Sequence, residues 1–559
     1  MTARLRFTFI FIILFFILVI ARLFYWQVVK AEELSLLGNS QYGALVQVQP
    51  QRGEIKTSDN FPIATNKLSY LVYASPYEIK DKIKTARLLS SFLEMDNASI
   101  SATLSIKERV WVPIKSKVEN DVKNTIEELK LPGIGFSQES TRFYPEASLA
   151  ATLVGFVGKN DAGGKKGYSG LEGYYDRQLK GKEGVTLVIH DALGKPILSK
   201  MVDTDTVNGR TLILNVDRSI QFMIERKLKD GIEKYGASGG MVGILDPKTG
   251  NVLAMASFPS FDPRSYYEYS EEFYRNPFLS NLYEPGSTFK SLVMASALDA
   301  GVVKPETKCN ICDKPISIGE YEIKTWDNKY HKDLNMIDVI KYSDNTGMVF
   351  VAKSMGITKM LSYLHEFGIG ELTGIDLQGE VSSYLRPENK WYPIDLATLG
   401  FGQGISVTPI ELLTAFSSIA NEGKMMEPHV VSKIETPEGK MLSIAPKVLS
   451  TPISSKTAKV MTEILVNAVS NGEAKWAKPK GYRIAGKTGT SQIPIAGHYD
   501  SNKTVASFIG FAPADNPKFA MLVIIDRPTT SIYGSETAAP IFFDIAKEIL
   551  SYYKIPPSE

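Results

Sequence analysis

One serine and one lysine, Ser287 and Lys290, have the types and spacing of a nucleophile and its base. Pro285 and Gly286 precede the pair, and apolar residues at helical spacing follow it, namely Leu292, Val293, Ala295 and Leu298. This pattern predicts that Ser287 lies in the first turn of a mostly buried helix, with Lys290 on the same face. A lysine can take the serine proton only if burial or a nearby positive charge lowers its pKa, and a helix N-terminus would stabilise the resulting oxyanion. Alone, Ser-x-x-Lys is a spacing that often occurs by chance.

Ser343, Asp344 and Asn345 form a second polar group, between two stretches with helical periodicity. Residues of these types often cap helices, and capping is the ordinary interpretation of the triplet. In a catalytic interpretation, Ser343 relays a proton between the leaving group and the base. Asn345 then orients Lys290 and the substrate amide.

A third motif places a lysine between two glycines, after the strand-like stretch Tyr482–Ala485: Gly486-Lys487-Thr488-Gly489-Thr490. Glycines on an edge strand let a substrate backbone approach closely. Lys487 and the hydroxyls of Thr488 and Thr490 would bind a carboxylate. The backbone N–H of Thr490 would complete an oxyanion hole with that of Ser287. In isolation, an ordinary turn with a solvated lysine explains this motif equally well.

The elements that must position these motifs follow from the surrounding periodicity. Up to about residue 205, short strand-like stretches accompany one clear helix over Ile79–Leu93, and Asn160–Gly173 has the composition of an exposed loop. The stretches are Ala44–Val48, Tyr70–Tyr73 and Val110–Ile114. Beyond Thr211 the pattern predicts two hairpins with a long helical region between them, followed by a C-terminal helix: Met241–Leu245 with Asn251–Ala256, Val505–Phe511 with Phe519–Ile525, and Ile541–Leu550. The predicted fold class is α+β, a sheet covered by helices after a mixed N-terminal domain.

The composition narrows the class of protein. The chain has 559 residues, 44% hydrophobic and 22% charged, so two or more globular domains are expected. A formal net charge of +2 without a long basic run gives no electrostatic sign of nucleic-acid binding. Cys309 and Cys312 are the only cysteines, too few for a disulfide scaffold or a four-ligand zinc site. We expect no metal or organic cofactor, and either a local disulfide or two free thiols.

The N-terminus carries Arg4 and Arg6 before the uncharged run Phe7–Ala21. The run is short for a membrane span, and its end would permit cleavage as a signal peptide. Apolar residues resume after Arg22, however, and aromatic residues typical of a membrane interface follow, which favours an uncleaved anchor. We therefore predict a single-pass membrane protein with a cytoplasmic N-terminus and an extracytoplasmic catalytic domain.

The three motifs, in this order on an exported chain, are the signature shared by serine β-lactamases and penicillin-binding proteins. Almost end to end, the chain resembles the class B penicillin-binding proteins, and its cell-division subgroup in particular. The segments that carry this likeness are Glu284–Lys290, Gly402–Pro409 and Ala506–Ala514. In the N-terminal half, Arg52–Ile55, Arg142–Pro145 and Gly170–Gly173 resemble the family's three pedestal motifs. One departure is Thr57-Ser58 and Asn60, where the family has an Asp-Arg pair and a turn glycine; Asn tolerates the same left-handed backbone.

The resemblance implies an anchor over residues 1–29, a pedestal domain over 30–205 and a transpeptidase domain over 206–559. It implies that Ser287 is acylated, that Lys290 is its base, and that Ser343 and Asn345 shuttle protons and hold the substrate. Lys487, Thr488, Gly489 and Thr490 would bind the terminal carboxylate of a D-Ala-D-Ala stem peptide or of a β-lactam. Such a transpeptidase forms the peptidoglycan cross-link with release of D-alanine, here during septal wall synthesis. It needs a membrane glycosyltransferase partner among other division proteins, and Tyr25–Val48 is placed to contact that partner.

Three alternatives remain open. A β-lactam-hydrolysing enzyme or a β-lactam receptor also carries a Ser-x-x-Lys motif, but rarely needs a long anchored pedestal. A non-enzymatic scaffold would not need complete motifs. A D,D-carboxypeptidase differs only in using water as the acceptor.

Overall fold

The computed structural model describes residues 2–106, 109, 111–161, 163–190, 196–204, 206–495 and 498–558. Helices and strands are numbered separately along the whole chain. Internal contacts divide the chain into two compact units, Met1–Arg52 with Lys180–Gly209 and Gly53–Leu179 with Arg210–Glu559. The first unit contains the N-terminal helix, and the second contains all three sequence motifs.

The N-terminal helix is long and apolar enough to cross a membrane. Helix α1 (Thr2–Phe24) continues into a π-helical turn (Tyr25–Val29), and this 28-residue segment is exposed throughout. The guanidinium of Arg22 lies 5.4 Å from the centre of the Trp26 ring, at the C-terminal end of the span. The first unit also has a second helix and three described antiparallel strands: α2 (Ala31–Tyr42), β1 (Gly43–Val48), β8 (Gly184–His190) and β9 (Pro196–Thr204). Strand β1 confirms the strand expected at Ala44–Val48.

The second unit begins with a sheet built from distant parts of the chain. Seven described strands run in the order β17-β16-β10-β2-β3-β4, with β5 also paired to β3. They are β2 (Ile55–Lys56), β3 (Pro62–Ala74), β4 (Val112–Val118), β5 (Ile134–Phe143), β10 (Thr211–Leu214), β16 (Val431–Glu435) and β17 (Met441–Ser443). The strand expected at Tyr70–Tyr73 is confirmed inside β3. The one expected from residue 110 begins at Val112, and residue 110 itself lies outside the described residues.

Three helices cover the β3–β5 part of this sheet: α3 (Lys82–Leu93), α4 (Asn97–Leu104) and α5 (Asn120–Glu128). The helix expected at Ile79–Leu93 is confirmed from Lys82 onward. It starts there because Asp81 is its N-cap and accepts a hydrogen bond from the Lys84 amide at 2.9 Å. Leu89, Leu93 and Ile100 are fully buried beneath these helices.

The exposed loop expected over Asn160–Gly173 is wrong for most of its length. Within this range the chain forms strand β7 (Lys165–Tyr168) and most of helix α7 (Gly170–Tyr174), and β7 pairs with β6 (Phe156–Lys159) in an antiparallel hairpin. Two short helices flank the range, α6 (Ala151–Val154) and α8 (Asp176–Leu179). Lys165 and Lys166 are exposed although they lie in a strand. Because short hairpin strands commonly carry solvated lysines, their composition resembles that of a loop.

The three pedestal motifs meet at one buried arginine. Arg142 Nε donates a hydrogen bond to Glu172 Oε1 at 2.6 Å, and Arg142 Nη1 donates to the Gly53 carbonyl at 2.7 Å. The side chains of Arg142 and Glu172 are 5% and 0% exposed. In the neighbouring turn Asn60 has a φ of 64°, which confirms the left-handed conformation expected of it. A desolvated ion pair therefore joins segments that are far apart in sequence.

Replacing Arg142 with methionine should lower the free energy of unfolding by about 3–5 kcal/mol, because the buried carboxylate of Glu172 would lose the positive charge that compensates its desolvation. The measurement is urea unfolding of the full-length protein in detergent, followed by circular dichroism. The double variant Arg142→Met/Glu172→Leu should recover much of the loss, because it removes both charges.

A matched surface pair provides the control. Lys67 and Glu119 lie 2.6 Å apart with side chains 51% and 66% exposed. Lys67→Met should cost no more than about 1 kcal/mol. Equal losses in Lys67→Met and Arg142→Met would contradict the argument from burial.

A second sheet of five described antiparallel strands forms the centre of the C-terminal half. Its order is β12-β11-β21-β20-β19, with β11 (Gly239–Leu245), β12 (Val252–Phe258), β19 (Ala485–Ile495), β20 (His498–Ala512) and β21 (Phe519–Asp526). Both hairpins expected from the sequence are confirmed. Side chains alternate between the faces. Val242 and Val523 pack toward α9 (Arg218–Tyr235) and the expected C-terminal helix α18 (Ala538–Tyr552).

The opposite face of this sheet is covered by a helical layer, as the α+β prediction requires. Met241 and Leu522 pack into that layer, and every residue of its central helix is buried. The helices are α10 (Pro277–Ser280), α11 (Lys290–Asp299), α12 (Met336–Lys341), α13 (Asn345–Met355), α14 (Ile357–Glu366), α15 (Pro393–Leu399), the central α16 (Pro409–Ala420) and α17 (Ser455–Asn471). The unit also has two small antiparallel strand pairs: the hairpin of β13 (Ile316–Ile318) with β14 (Tyr321–Ile323), and β15 (Met425–Met426) with β18 (Val448–Ser450). Cys309 and Cys312 form a disulfide with their Cα atoms 5.7 Å apart.

Candidate active site

Ser287 lies in a 3-10 turn, Gly286–Thr288, immediately before α11. The sequence predicted Ser287 inside the first turn of the helix, but α11 begins only at Lys290. The difference arises because Gly286 has a φ of 55°, which starts a tight turn rather than a helix. Ser287 is partly exposed while its neighbours on both sides are buried, so its hydroxyl is accessible from solvent on a rigid support.

The turn that carries Ser287 is held by residues of the other family-like segments. The Gly286 amide donates to the Gly402 carbonyl at 3.0 Å, and a Cβ at Gly402 would lie 2.1 Å from the Gly286 oxygen. Glu284 Oε1 accepts from the Gly404 amide at 3.0 Å, and the Glu284 carbonyl accepts from Ser491 Oγ at 2.6 Å. The segment at 402–409 therefore fixes the nucleophile turn, and only glycine fits at its point of contact.

The Ser343-Asp344-Asn345 turn combines both interpretations drawn from the sequence. Asp344 is the N-cap of α13 and accepts from the Gly347 amide at 2.8 Å. Ser343 is 4% exposed and has a φ of 56°, so it adopts a left-handed backbone that bends the chain between α12 and α13. The bend directs the side chains on both sides of Asp344 toward Lys290.

Lys290 is fully buried and fully hydrogen-bonded. Its Nζ donates to the Ser343 carbonyl at 2.6 Å, to Asn345 Oδ1 at 2.8 Å and to Ser343 Oγ at 3.2 Å. Burial, together with the positive charge of Lys487, lowers the pKa of Lys290 to about 7. Within the part of the chain that the structure describes, no hydrogen bond joins Lys290 to Ser287, as is common before substrate binds. A lysine with this pKa can exchange a proton at neutral pH.

Lys487, on strand β19, contacts Ser343 as well. Its Nζ donates to Ser343 Oγ at 3.0 Å and to Thr488 Oγ1 at 3.0 Å. The Ser343 hydroxyl therefore contacts the ammonium groups of both lysines. Burial lowers the pKa of Lys487 below its ordinary value as well. The arrangement can move a proton between two basic groups through one hydroxyl.

The third motif lies on β19, the expected edge strand of the five-stranded sheet. The strand begins at Ala485, so the strand predicted over Tyr482–Ala485 is wrong except for its last residue. The Ile484 side chain packs in the core. The Tyr482 hydroxyl donates a hydrogen bond to the Ile555 carbonyl at 3.4 Å. These contacts, rather than strand pairing, explain the apolar pattern.

Gly489 is required by packing against the nucleophile turn. A Cβ at this position would lie 2.3 Å from Ser507 Oγ and 2.8 Å from Thr288 Cγ2. A side chain would therefore push β19 away from Ser287. The sequence analysis had assigned Gly489 to substrate approach, and the contacts show an additional reason for glycine.

Comparison with known families agrees with this geometry. Residues 240–547 match the penicillin binding protein transpeptidase domain, and residues 47–214 match the penicillin-binding protein dimerisation domain. The chain is a class B penicillin-binding protein. It is thus a serine-type peptidoglycan D,D-transpeptidase.

Relatives of this penicillin-binding protein align with it over nearly the whole length. Stage V sporulation protein D of Bacillus subtilis is 33% identical over 99% of this chain and 86% of its own. Peptidoglycan D,D-transpeptidase FtsI of Escherichia coli K12 is 30% identical over 96% of this chain and 90% of its own. Penicillin Binding Protein 2X from Streptococcus thermophilus has the same fold, with a TM-score of 0.77 at 22% identity over 91% of this chain and 80% of its own.

Two residues of this penicillin-binding protein's site were not predicted. Glu473 Oε2 accepts a hydrogen bond from Thr488 Oγ1 at 2.9 Å, and the Gly534 amide donates to Thr490 Oγ1 at 3.0 Å. Glu473 follows α17 and Gly534 lies between β21 and α18. Neither belongs to a local motif, so no sequence signal could have identified them without the fold.

Proposed function

We propose that this penicillin-binding protein cross-links stem peptides in the division septum through an acyl-enzyme on Ser287. The observation that carries the proposal is Lys290, buried beside Ser343 and Asn345 with a pKa of about 7. Such a group takes up a proton at neutral pH and releases it again, as both half-reactions require.

In the first half-reaction, Ser287 Oγ attacks the carbonyl carbon of the penultimate D-alanine while Lys290 takes the hydroxyl proton. The backbone N–H groups of Ser287 and Thr490 hold the oxyanion. Ser343 passes the proton to the leaving amine, the peptide C–N bond breaks, and D-alanine departs. The product is an ester on Ser287.

The terminal carboxylate of the stem peptide is bound in the pocket formed by Lys487, Thr488 and Thr490. The Thr490 hydroxyl accepts from the Gly534 amide, so its own proton is free to be donated to the carboxylate. A charge-assisted hydrogen bond of this kind is stronger than a neutral one. The binding site thus recognises the anionic end of the substrate, which a β-lactam also carries.

In the second half-reaction, an amine on a neighbouring stem peptide attacks the ester carbonyl. Lys290 takes one proton from the amine and returns it to Ser287 Oγ as the ester bond breaks. The new amide is the cross-link. If water attacks instead, the same steps give carboxypeptidase activity.

The test is mass spectrometry of the full-length protein in detergent, incubated first with benzylpenicillin and then with a D-Ala-D-Ala stem peptide and an amine acceptor. We expect a persistent penicillin adduct and a cross-linked product. An M. tuberculosis penicillin-binding protein 3 of the same fold, with a TM-score of 0.71 at 24% identity over 92% of this chain and 98% of its own, has been solved with aztreonam, which supports the expected adduct. Rapid release of the hydrolysed drug would instead indicate a β-lactam-hydrolysing enzyme.

The proposal also assigns the enzyme to wall synthesis in the division septum. Likeness to FtsI supports a role in division, while the similar likeness to Stage V sporulation protein D makes spore formation the specific alternative. Depletion of the protein should produce filaments whose septa fail to close. Normal division with a defect in spores would contradict the septal role.

We further propose that α1 is an uncleaved anchor with Arg4 and Arg6 in the cytoplasm. Positive charge on the N-terminal side of an apolar helix favours this orientation. The intact N-terminus should survive in the mature protein, while protease added outside should digest the remainder. N-terminal sequencing that begins at Arg22 would demonstrate a cleaved signal.

The proposed partner is a membrane glycosyltransferase, with residues 25–48 contacting it beside the membrane. We propose the domain division 1–29, 30–205 and 206–559, which the matches at 47–214 and 240–547 support. Photo-crosslinking from Trp26 should capture the glycosyltransferase. Failure there, with normal cross-linking activity, would remove the contact and leave the enzyme assignment.

A further inference from the structure

We infer that Glu473 is a positioning residue, which fixes the proton of Thr488 and, through its negative charge, favours the protonated form of both active-site lysines. This inference rests on the proposed function. Glu473 follows the C-cap of α17, and its carboxylate accepts a hydrogen bond from the Thr488 hydroxyl at 2.9 Å. Glu473 itself lies outside the three sequence motifs.

The hydrogen bonds determine where the Thr488 proton lies. Lys487 is an ammonium donor, so Thr488 Oγ1 accepts from it at 3.0 Å. A carboxylate only accepts, so Thr488 must donate its single proton to Glu473. With that proton engaged, Thr490 is left as the hydroxyl donor for a substrate carboxylate. Glu473 thus assigns different roles to two threonines that the motif presents as equivalent.

The same carboxylate acts on the lysines through its charge. Burial and the positive charge of Lys487 lower the pKa of Lys290, while the negative charges of Asp344 and Glu473 oppose that shift. At Lys487, burial lowers the pKa and Glu473 opposes the shift. The hydrogen-bonded path Glu473–Thr488–Lys487–Ser343–Lys290 connects these groups directly. Removing the negative charge should therefore lower both lysine pKa values further.

Other charged groups face Glu473 across a cavity of about 200 Å³. Two of its cations are already paired, Lys341 with Asp338 at 2.8 Å and Lys329 with Asp327 at 3.5 Å. The Asp344 carboxylate caps α13. The titratable residues lining this cavity with Glu473 are Asp327, Lys329, His331, Lys341, Tyr342 and Asp344. Glu473 is the member of this group that accepts the Thr488 hydroxyl.

The test is the pH dependence of the second-order acylation rate by benzylpenicillin in Glu473→Gln, with the full-length protein in detergent. Glutamine keeps an oxygen that accepts from Thr488 but has no charge. The rate rises with pH as Lys290 loses its proton and falls again as Lys487 loses its own. Both limbs of the profile should therefore move to lower pH, by about one unit.

Three further variants make the result decisive. Glu463→Gln removes an exposed carboxylate of α17 that pairs with Arg483, and should leave both limbs in place. Glu473→Asp keeps the charge and should restore the wild-type limbs. Thr488→Val breaks the hydroxyl link without touching Glu473, so it should lower the rate while the limbs stay near their wild-type positions. If Glu473→Gln fails to fold, Thr488→Val still tests the inference: because Glu473 keeps its charge in that variant, limbs displaced to lower pH would contradict an effect of charge alone.

Unmoved limbs in Glu473→Gln, or a uniform loss at every pH, would overturn the inference and assign Glu473 a purely structural role. This result can be distinguished from failure of the proposed function. If the proposed function is wrong, the wild-type protein forms no adduct on Ser287 at any pH, and the inferred role of Glu473 is then wrong as well.

Discussion

Replacing Ser287 with alanine should abolish the covalent penicillin adduct completely, because Ser287 is the nucleophile of the proposed reaction. Ser287 is partly exposed in a turn fixed by Gly402, three residues before Lys290. Lys290 and Lys487, both buried, donate to the Ser343 hydroxyl. Without the Ser287 oxygen, no ester can form. The measurement is peptide mass spectrometry after incubation with labelled penicillin.

Ser291→Ala is the matched control for this substitution. Ser291 lies four residues further along, and its buried Oγ has no hydrogen-bond partner among the described residues. Loss of this hydroxyl should therefore leave both the fold and the adduct intact. An adduct that persists in Ser287→Ala, or that maps to another serine, would refute the assignment of the nucleophile.

Exchanging the two lysines for arginine should separate their roles. Arginine keeps the positive charge but cannot be deprotonated at working pH. If Lys290 is the base, Lys290→Arg should lower the acylation rate by about 10³-fold, a typical general-base contribution. Lys487→Arg keeps the charge that meets the carboxylate, so it should retain much more of the rate.

The measurement is the second-order acylation rate of each variant and of wild type across pH. In wild type the acid limb should lie near pH 7, because the Lys290 pKa is lowered to about 7 and only the neutral amine accepts the serine proton. Equal losses in the two variants, or a larger loss in Lys487→Arg, would mean that the two roles have been assigned wrongly.

The sequence predicted local patterns well where one periodicity dominates. The hairpins around β11–β12 and β20–β21 were predicted because each couples apolar strands to a strong turn signal. The predictions were wrong at two places. At β7 the exposed lysines led to the prediction of a loop, and at Tyr482–Ala485 residues that are apolar for tertiary packing led to the prediction of a strand. In each failure, the contacts that decide the structure come from distant residues.

The residues of the candidate site were likewise predicted only in part. Capping and catalysis were competing interpretations of Ser343-Asp344-Asn345, and the structure assigns capping to Asp344 while its neighbours contact Lys290. Motif reasoning could identify the two lysines. It could not find Glu473, because only the packing of α17 beside β19 brings that carboxylate to Thr488.

The seven-stranded sheet contains strands from both sides of residue 205, which limits how this protein can be recombined with its relatives. Strand β10 pairs in parallel with β2, through Leu212 and Ile55, and antiparallel with β16. A chimera joined near residue 205 would have to match both ladders at once, or leave an open strand edge that invites aggregation. The pedestal and the catalytic half are therefore expected to fold as one unit, and an exchange between relatives should preserve the fold only when it transfers both together.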